Sequence, residues 1–221
     1  MTSQFFEAVL FDMDGLTIDS EPQWLETERE LTAEFGYRWT LEDQAYCLGG
    51  PLSKVGQYIA DLVDQRENGP YFHKRLIEIM AKKMAEKTYF MPGAKELIES
   101  LNLLQIPIAL VSASPRVIVD AALKNIHPIN FELSISADDV INTKPDPEGY
   151  LKAAKALGAQ IRRTLILEDS LTGVTAARAS GARVIAVPHL VKIDPDDQTK
   201  VHRSLTELSI DQLREYFLEW F

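Results

Sequence analysis

The sequence predicts an α/β fold, a doubly wound parallel sheet of Rossmann-like type with an all-helical domain inserted into it. Three observations carry this. Short, wholly apolar runs that end at acidic or hydroxyl residues recur along the chain, as the buried strands of a parallel sheet do. Helical patterns alternate with them, which is the signature of strand–helix–strand units. One stretch of about 70 residues, large enough for a small domain, follows the first strand and contains helices without a strand.

The first strand is Ala8-Val9-Leu10-Phe11, ending at Asp12. Ser20-Glu21-Pro22 then starts a helix with proline in its first turn, and Gly36 ends it. Thr40-Leu41-Glu42-Asp43 resembles a capping box with Asp in the reciprocal position. Ser53 opens a third helix with Ile59, Leu62 and Val63 on one face, and Asn68-Gly69-Pro70 breaks it. From Tyr71 to Lys87, residues Phe72, Leu76, Ile79, Met80 and Met84 recur at helical spacing. Met91-Pro92-Gly93 punctuates the return to α/β. Helices are expected over 93–104, 117–125, 147–157 and 171–180, and strands over 106–111, 133–136, 164–167 and 183–187. Gly158 and Gly181 stand where a left-handed closing residue is wanted. Tyr216, Phe217, Trp220 and Phe221 read as helix packing. Residues 1–18 and 93–221 thus form the core, and 19–92 the helical cap.

Composition narrows the function. With 33 acidic and 23 basic residues the net charge is −10, which makes non-specific nucleic-acid binding unfavourable. No apolar run approaches the roughly 18–20 residues of a membrane span. Cys47 is the only cysteine, so an internal disulfide or a cysteine-based zinc site is excluded. Residues 1–7 lack the basic start and apolar core of a secretory signal. A cytoplasmic monomer with neither a nucleic-acid nor a membrane partner is expected.

In an open α/β sheet, ligands bind outside the carboxyl ends of the strands. Standing there are Asp12-Met13-Asp14-Gly15, Ser112-Ala113-Ser114, Thr143-Lys144-Pro145 and Glu168-Asp169-Ser170. Four carboxylates together repel, so a hard divalent cation such as Mg²⁺ is the expected guest, with a substrate phosphate beside it. Lys144 supplies the positive charge, and Ser112 with backbone N–H groups supplies hydrogen bonds. Asp12 is placed to attack phosphorus and Asp14 to give and take the proton.

These residues carry a resemblance. FDMDGLTIDS, VSAS, Lys144-Pro145 and LEDS, in this order and with a helical insert after the first, resemble the four signatures of the haloacid dehalogenase superfamily. The β-phosphoglucomutase-like branch, with its sugar-phosphate phosphatases, is the nearest in pattern. The resemblance implies Asp12 as nucleophile and Mg²⁺ ligand, and Asp14 as acid/base whose main-chain carbonyl is a ligand. It implies Asp169 as a ligand and Glu168 as a ligand or the neighbour of one. Ser112, Ala113 and Lys144 would hold the phosphate, and Gly15 would let the loop turn close to it.

Blander readings stand beside these. Ser170 is also a helix N-cap candidate, Ser114 either a phosphate contact or a loop hydrogen bond, Asp138-Asp139 the start of a helical turn, and Lys82-Lys83 a solvated face or a substrate contact. The four histidines lack metal-ligand spacing and read as structural or surface residues.

The function expected is a Mg²⁺-dependent phosphatase acting on a small phosphorylated metabolite, a sugar or polyol phosphate. A phosphosugar mutase is the alternative, and a non-enzymatic phospho-receiver domain a remote one, since receivers are shorter and lack a counterpart of Asp14. Trp24, Gly50, Lys54, Ser114 and Arg116 are the candidate specificity positions. Trp24 stands where the mutase pattern has a histidine, and Pro51 falls about where that pattern has a phosphate-gripping arginine. Both departures favour hydrolysis.

Overall fold

The computed structural model describes residues 5–47, 51–126, 129–188 and 191–221. Six parallel strands form one sheet: β1 (Ala8–Phe11), β2 (Ile108–Val111), β3 (Leu133–Ile135), β4 (Thr164–Glu168), β5 (Arg183–Ala186) and β6 (Thr199–Val201). Their order is β3-β2-β1-β4-β5-β6. The chain moves outward from β1 through β2 to β3, then crosses back to place β4 on the other side of β1. The order therefore reverses at β1, the switch point where such sheets bind ligands.

The apolar strands are buried because helices cover both faces. Side chains alternate between two clusters. Val9, Phe11, Leu165 and Leu167 face the layer of α5 (Ala94–Leu103), α6 (Arg116–Asn125) and α9 (Ile210–Trp220). Leu10, Ala109 and Ile166 face that of α7 (Glu148–Ala156) and α8 (Leu171–Ser180). Gly158 and Gly181 take left-handed conformations just past α7 and α8, with φ of 71° and 83°. Phe217 packs edge-on against Phe6 at 5.4 Å, and Arg163 and Arg183 lie over the Phe221 ring, so the aromatic terminus is packing. Strand β6 is absent from the sequence reading. It is a three-residue edge strand centred on Lys200, too short and too polar to show a strand period. Strand β2 starts two residues later than expected, beyond Pro107.

Among the described residues, four helices are inserted between β1 and α5: α1 (Glu21–Ala33), α2 (Leu41–Cys47), α3 (Leu52–Leu62) and α4 (Gly69–Glu86). They enclose an apolar cluster of their own, with Leu31, Trp39, Ile59, Phe72 and Leu76. The capping box forms as read: Thr40 N–H donates to Asp43 Oδ2 at 2.8 Å, and Asp43 N–H donates to Thr40 Oγ1 at 3.1 Å. Asn68, read as a break, is also the N-cap of α4. The crossings to the sheet pair with each other, Asp19 N–H to Tyr89 O at 2.9 Å and Met91 N–H to Thr17 O at 3.0 Å. The last turns of α4 leave the insert's own cluster: Met80 and Met84 join the core under α6. Among the described residues, no helix is long and apolar enough to cross a membrane.

Glu28 on α1 is only 5% exposed, and its Oε2 has no hydrogen-bond partner among the described residues. Burial pushes its pKa up to about 8, the charge of Glu21 adds to this, and a hydrogen bond with Gln44 opposes it. A carboxylate whose folded pKa lies above its unfolded value contributes its stability at low pH and loses it as pH rises through the folded pKa. Thermal stability is expected to fall between about pH 4.5 and about pH 8 by an amount Glu28→Gln removes, on the scale of about 1.4 kcal/mol per pKa unit. Melting curves of the two proteins over that range check it, and parallel pH slopes would refute it.

Candidate active site

Asp12 follows β1 and extends its ladder, its N–H donating to Leu167 O at 3.0 Å. The chain then turns sharply at Gly15, whose φ of 82° disfavours a side chain. A Cβ there would also overlap Asp169 Oδ2. Ser112 follows β2, its N–H donating to Ile135 O at 2.9 Å, and its Oγ accepts from Ser114 N–H at 2.9 Å. Glu168 is the last residue of β4, and Ser170 caps α8 by accepting from Gly173 N–H at 3.0 Å. Lys144 comes from the connection between β3 and α7. Asp12, Asp14, Ser112, Ser114, Lys144, Glu168 and Asp169 thus meet at the carboxyl edge of the sheet, as the sequence predicts.

Lys144 is the hub. Its Nζ donates to Asp12 Oδ1, to Val111 O at 2.9 Å and to Glu168 Oε1 at 2.7 Å. Burial works against its charge, but Asp12 and Glu168 outweigh burial and hold the pKa above its ordinary value. Glu168 is fully buried and saturated with donors. Oε2 accepts from Asp169 N–H at 3.0 Å and from Ser170 N–H and Oγ at 3.2 Å. Oε1 accepts from Lys144 and from Tyr150 Oη at 2.6 Å. Gly173 of α8 lies against this carboxylate so closely that a Cβ would overlap it.

One lysine does not balance four carboxylates. Burial raises the pKa of Asp12, with Glu168, Asp169 and Asp14 adding to this against Lys144. Burial likewise pushes Asp169 up to about 8, reinforced by Glu168. Asp12, Glu168 and Asp169 each offer an oxygen, all within 4.8 Å of one another. A crowded all-oxygen set suits a hard divalent cation such as Mg²⁺. Asp12 and Asp169 are its carboxylates with an oxygen to spare, because the oxygens of Glu168 are engaged. Asp14 turns its side chain elsewhere: Ser20 Oγ donates to Oδ1 at 2.7 Å, and Ser112 and Ser114 donate to Oδ2 at 3.2 and 2.9 Å.

The candidate specificity positions divide. Ser114 is in the site, through Asp14. Trp24 is half-buried on α1, packed between the insert's cluster and the core. Lys54 stands on α3 with its Nζ 4.6 Å above the Tyr46 ring. Gly50 lies outside the described residues. Arg116 does not join the carboxylate cluster: its guanidinium binds Asp139, Ser134 Oγ at 2.7 Å and Asp120 at 3.2 Å. That network anchors α6 to β3 and to the 3-10 turn Ala137–Asp139. Lys83 pairs with Glu26 and Glu30 at 3.1 and 3.0 Å, which clamps α4 to α1.

Sequence reasoning misses Ser20 and Tyr150. Ser20 reads as a helix start and is one, yet its hydroxyl also reaches Asp14. Tyr150 reads as one more buried position of α7; the usable signal is an aromatic with a polar tip, which needs a partner when buried, six residues after Lys144.

A family model described as haloacid dehalogenase-like hydrolase matches residues 9–187. The chain is 29% identical over 188 residues to the phosphorylated carbohydrates phosphatase of Thermotoga maritima, covering 83% of this chain and 86% of that protein. It is 29% identical over 214 residues to hexitol phosphatase B of Escherichia coli, covering 94% and 93%. In structure it resembles β-phosphoglucomutase from Clostridium difficile, with a TM-score of 0.80, 21% identity and coverage of 98% and 99%. That last likeness is one of fold.

Proposed function

The chain belongs to the haloacid dehalogenase-like hydrolases, and we propose that it is a phosphoric monoester hydrolase cleaving a small sugar or polyol phosphate through Asp12, with Mg²⁺ as cofactor. The observation that carries this is the buried ammonium of Lys144 against Asp12 at the switch point of the sheet. Two relatives act on phosphorylated carbohydrates or hexitols by name, which supports the substrate class.

In this reading a phosphate sits against Lys144, Ser112 and the N–H of Ala113. An oxygen of Asp12 forms a bond to phosphorus while the ester P–O bond breaks. Asp14 gives its proton to the leaving alkoxide. Water then attacks the aspartyl-phosphate, Asp14 takes its proton, and phosphate leaves with Asp12 regenerated. Mg²⁺, held by Asp12 and Asp169 and the main-chain carbonyl of Asp14, with Glu168 fixing Lys144 beside them, would supply further positive charge. The insert, residues 19–92, acts as a cap that covers the site and sorts leaving groups, with 1–18 and 93–221 as the catalytic core.

A mutase would share the first half-reaction. Trp24 favours hydrolysis, because an indole cannot relay a proton to a second sugar hydroxyl at neutral pH and offers a sugar face only an apolar wall. Phosphate release across a panel of phosphorylated sugars, polyols and small acids tests the proposal. The expected result is release from a hexose or hexitol phosphate with Mg²⁺, loss of release in excess chelator, and weak metal binding by a folded Asp169→Asn protein in calorimetry. Full activity in chelator, or isomerised product outpacing phosphate, would contradict it.

A further inference from the structure

We propose that Tyr150 is a positioning residue that keeps the ammonium of Lys144 available to phosphate. This rests on the function just proposed. Tyr150 is fully buried on α7. It touches both partners of the Lys144–Glu168 ion pair: its Oη donates to Glu168 Oε1 at 2.6 Å, and its ring lies 4.9 Å from Lys144 Nζ. Lys144 and Tyr150 therefore donate to the same oxygen.

Every N–H of Lys144 is already committed, to Asp12, Val111 and Glu168. An arriving phosphate has to draw the ammonium partly away from Glu168. Two donors on Oε1 divide the pull of that oxygen, so Lys144 is held less tightly. Without the hydroxyl, Lys144 becomes the sole donor to a buried carboxylate oxygen, and such an oxygen binds its one remaining cation more strongly. Glu168 cannot rotate to find a substitute. Its other oxygen is fixed by Asp169 and Ser170, and Gly173 closes the space behind it. The tyrosine ring adds a weak attraction for the ammonium from a direction that does not compete with phosphate.

Tyr150→Phe keeps the ring and removes the hydroxyl. Titration calorimetry of inorganic phosphate in the presence of Mg²⁺ is expected to show about fivefold or greater weakening, the scale of one net hydrogen bond. KM for a phosphate ester should rise in parallel while kcat stays within about twofold, the pattern of lost uniform binding. The Mg²⁺ concentration at half-saturation should not move. Tyr150→Leu, lacking the ring as well, should weaken phosphate binding further. Unchanged phosphate affinity with only a lower Tm would make Tyr150 a packing residue and overturn the proposal. A change confined to Mg²⁺ half-saturation would overturn it too, by moving the effect to the metal. Wild-type protein that binds no phosphate would overturn the parent function, and the proposal with it.

Discussion

Asp12→Asn is expected to release no measurable phosphate from any ester at any metal concentration. The amide keeps the shape of the side chain and its place after β1, so the fold should persist. It loses the anion that attacks phosphorus, and loss of a nucleophile costs about 10⁴-fold or more in turnover. The charge balance sharpens the prediction. Burial and three neighbouring carboxylates raise the pKa of Asp12, so its ionised form is costly in the metal-free protein. Removing that charge should leave the metal-free variant at least as stable as wild type at neutral pH. An inactive protein with an unchanged or higher Tm fits a nucleophile; an inactive protein with a collapsed Tm would instead mark Asp12 as structural.

Asp14→Asn is expected to separate two kinds of substrate. The side chain takes hydrogen bonds from Ser20, Ser112 and Ser114, and an asparagine can keep part of that network. What it cannot do is give a proton. A sugar alkoxide is a poor leaving group and needs that proton, so turnover of a sugar phosphate should fall by about 10²–10⁴-fold, the usual worth of general acid catalysis. An activated aryl phosphate leaves without help and should lose far less in its first step. Kinetics on both esters check this, and equal losses would count against Asp14 as the acid.

Much of this site is legible in the sequence because strand ends in a doubly wound sheet converge. Asp12, Ser112 and Glu168-Asp169 each terminate an apolar run, so knowing that the runs pair in parallel is enough to bring them together. Lys144 is harder, since it sits in a connection rather than at a strand end, and the order of the motifs places it. Tyr150 and Ser20 escape for the opposite reason. Their partners, Glu168 and Asp14, are fixed by the tertiary fold, and periodicity alone gives each residue a sufficient local role. Arg116 shows the converse. Two residues past Ser114 it looks close to a phosphate, but Asp139 and Ser134 compete for its guanidinium and hold it on β3. The edge strand β6 is illegible because its three residues take their conformation from β5 rather than from any pattern of their own.

The central claim is that Asp12 carries the phosphoryl group during turnover. The direct test is rapid quenching of the enzyme with a sugar phosphate, followed by borohydride, which reduces an acyl phosphate to the alcohol, and peptide mass spectrometry. The account predicts homoserine at position 12, appearing with substrate and absent without it. Phosphate released at full rate with position 12 unmodified, or the modification at another carboxylate, would contradict it.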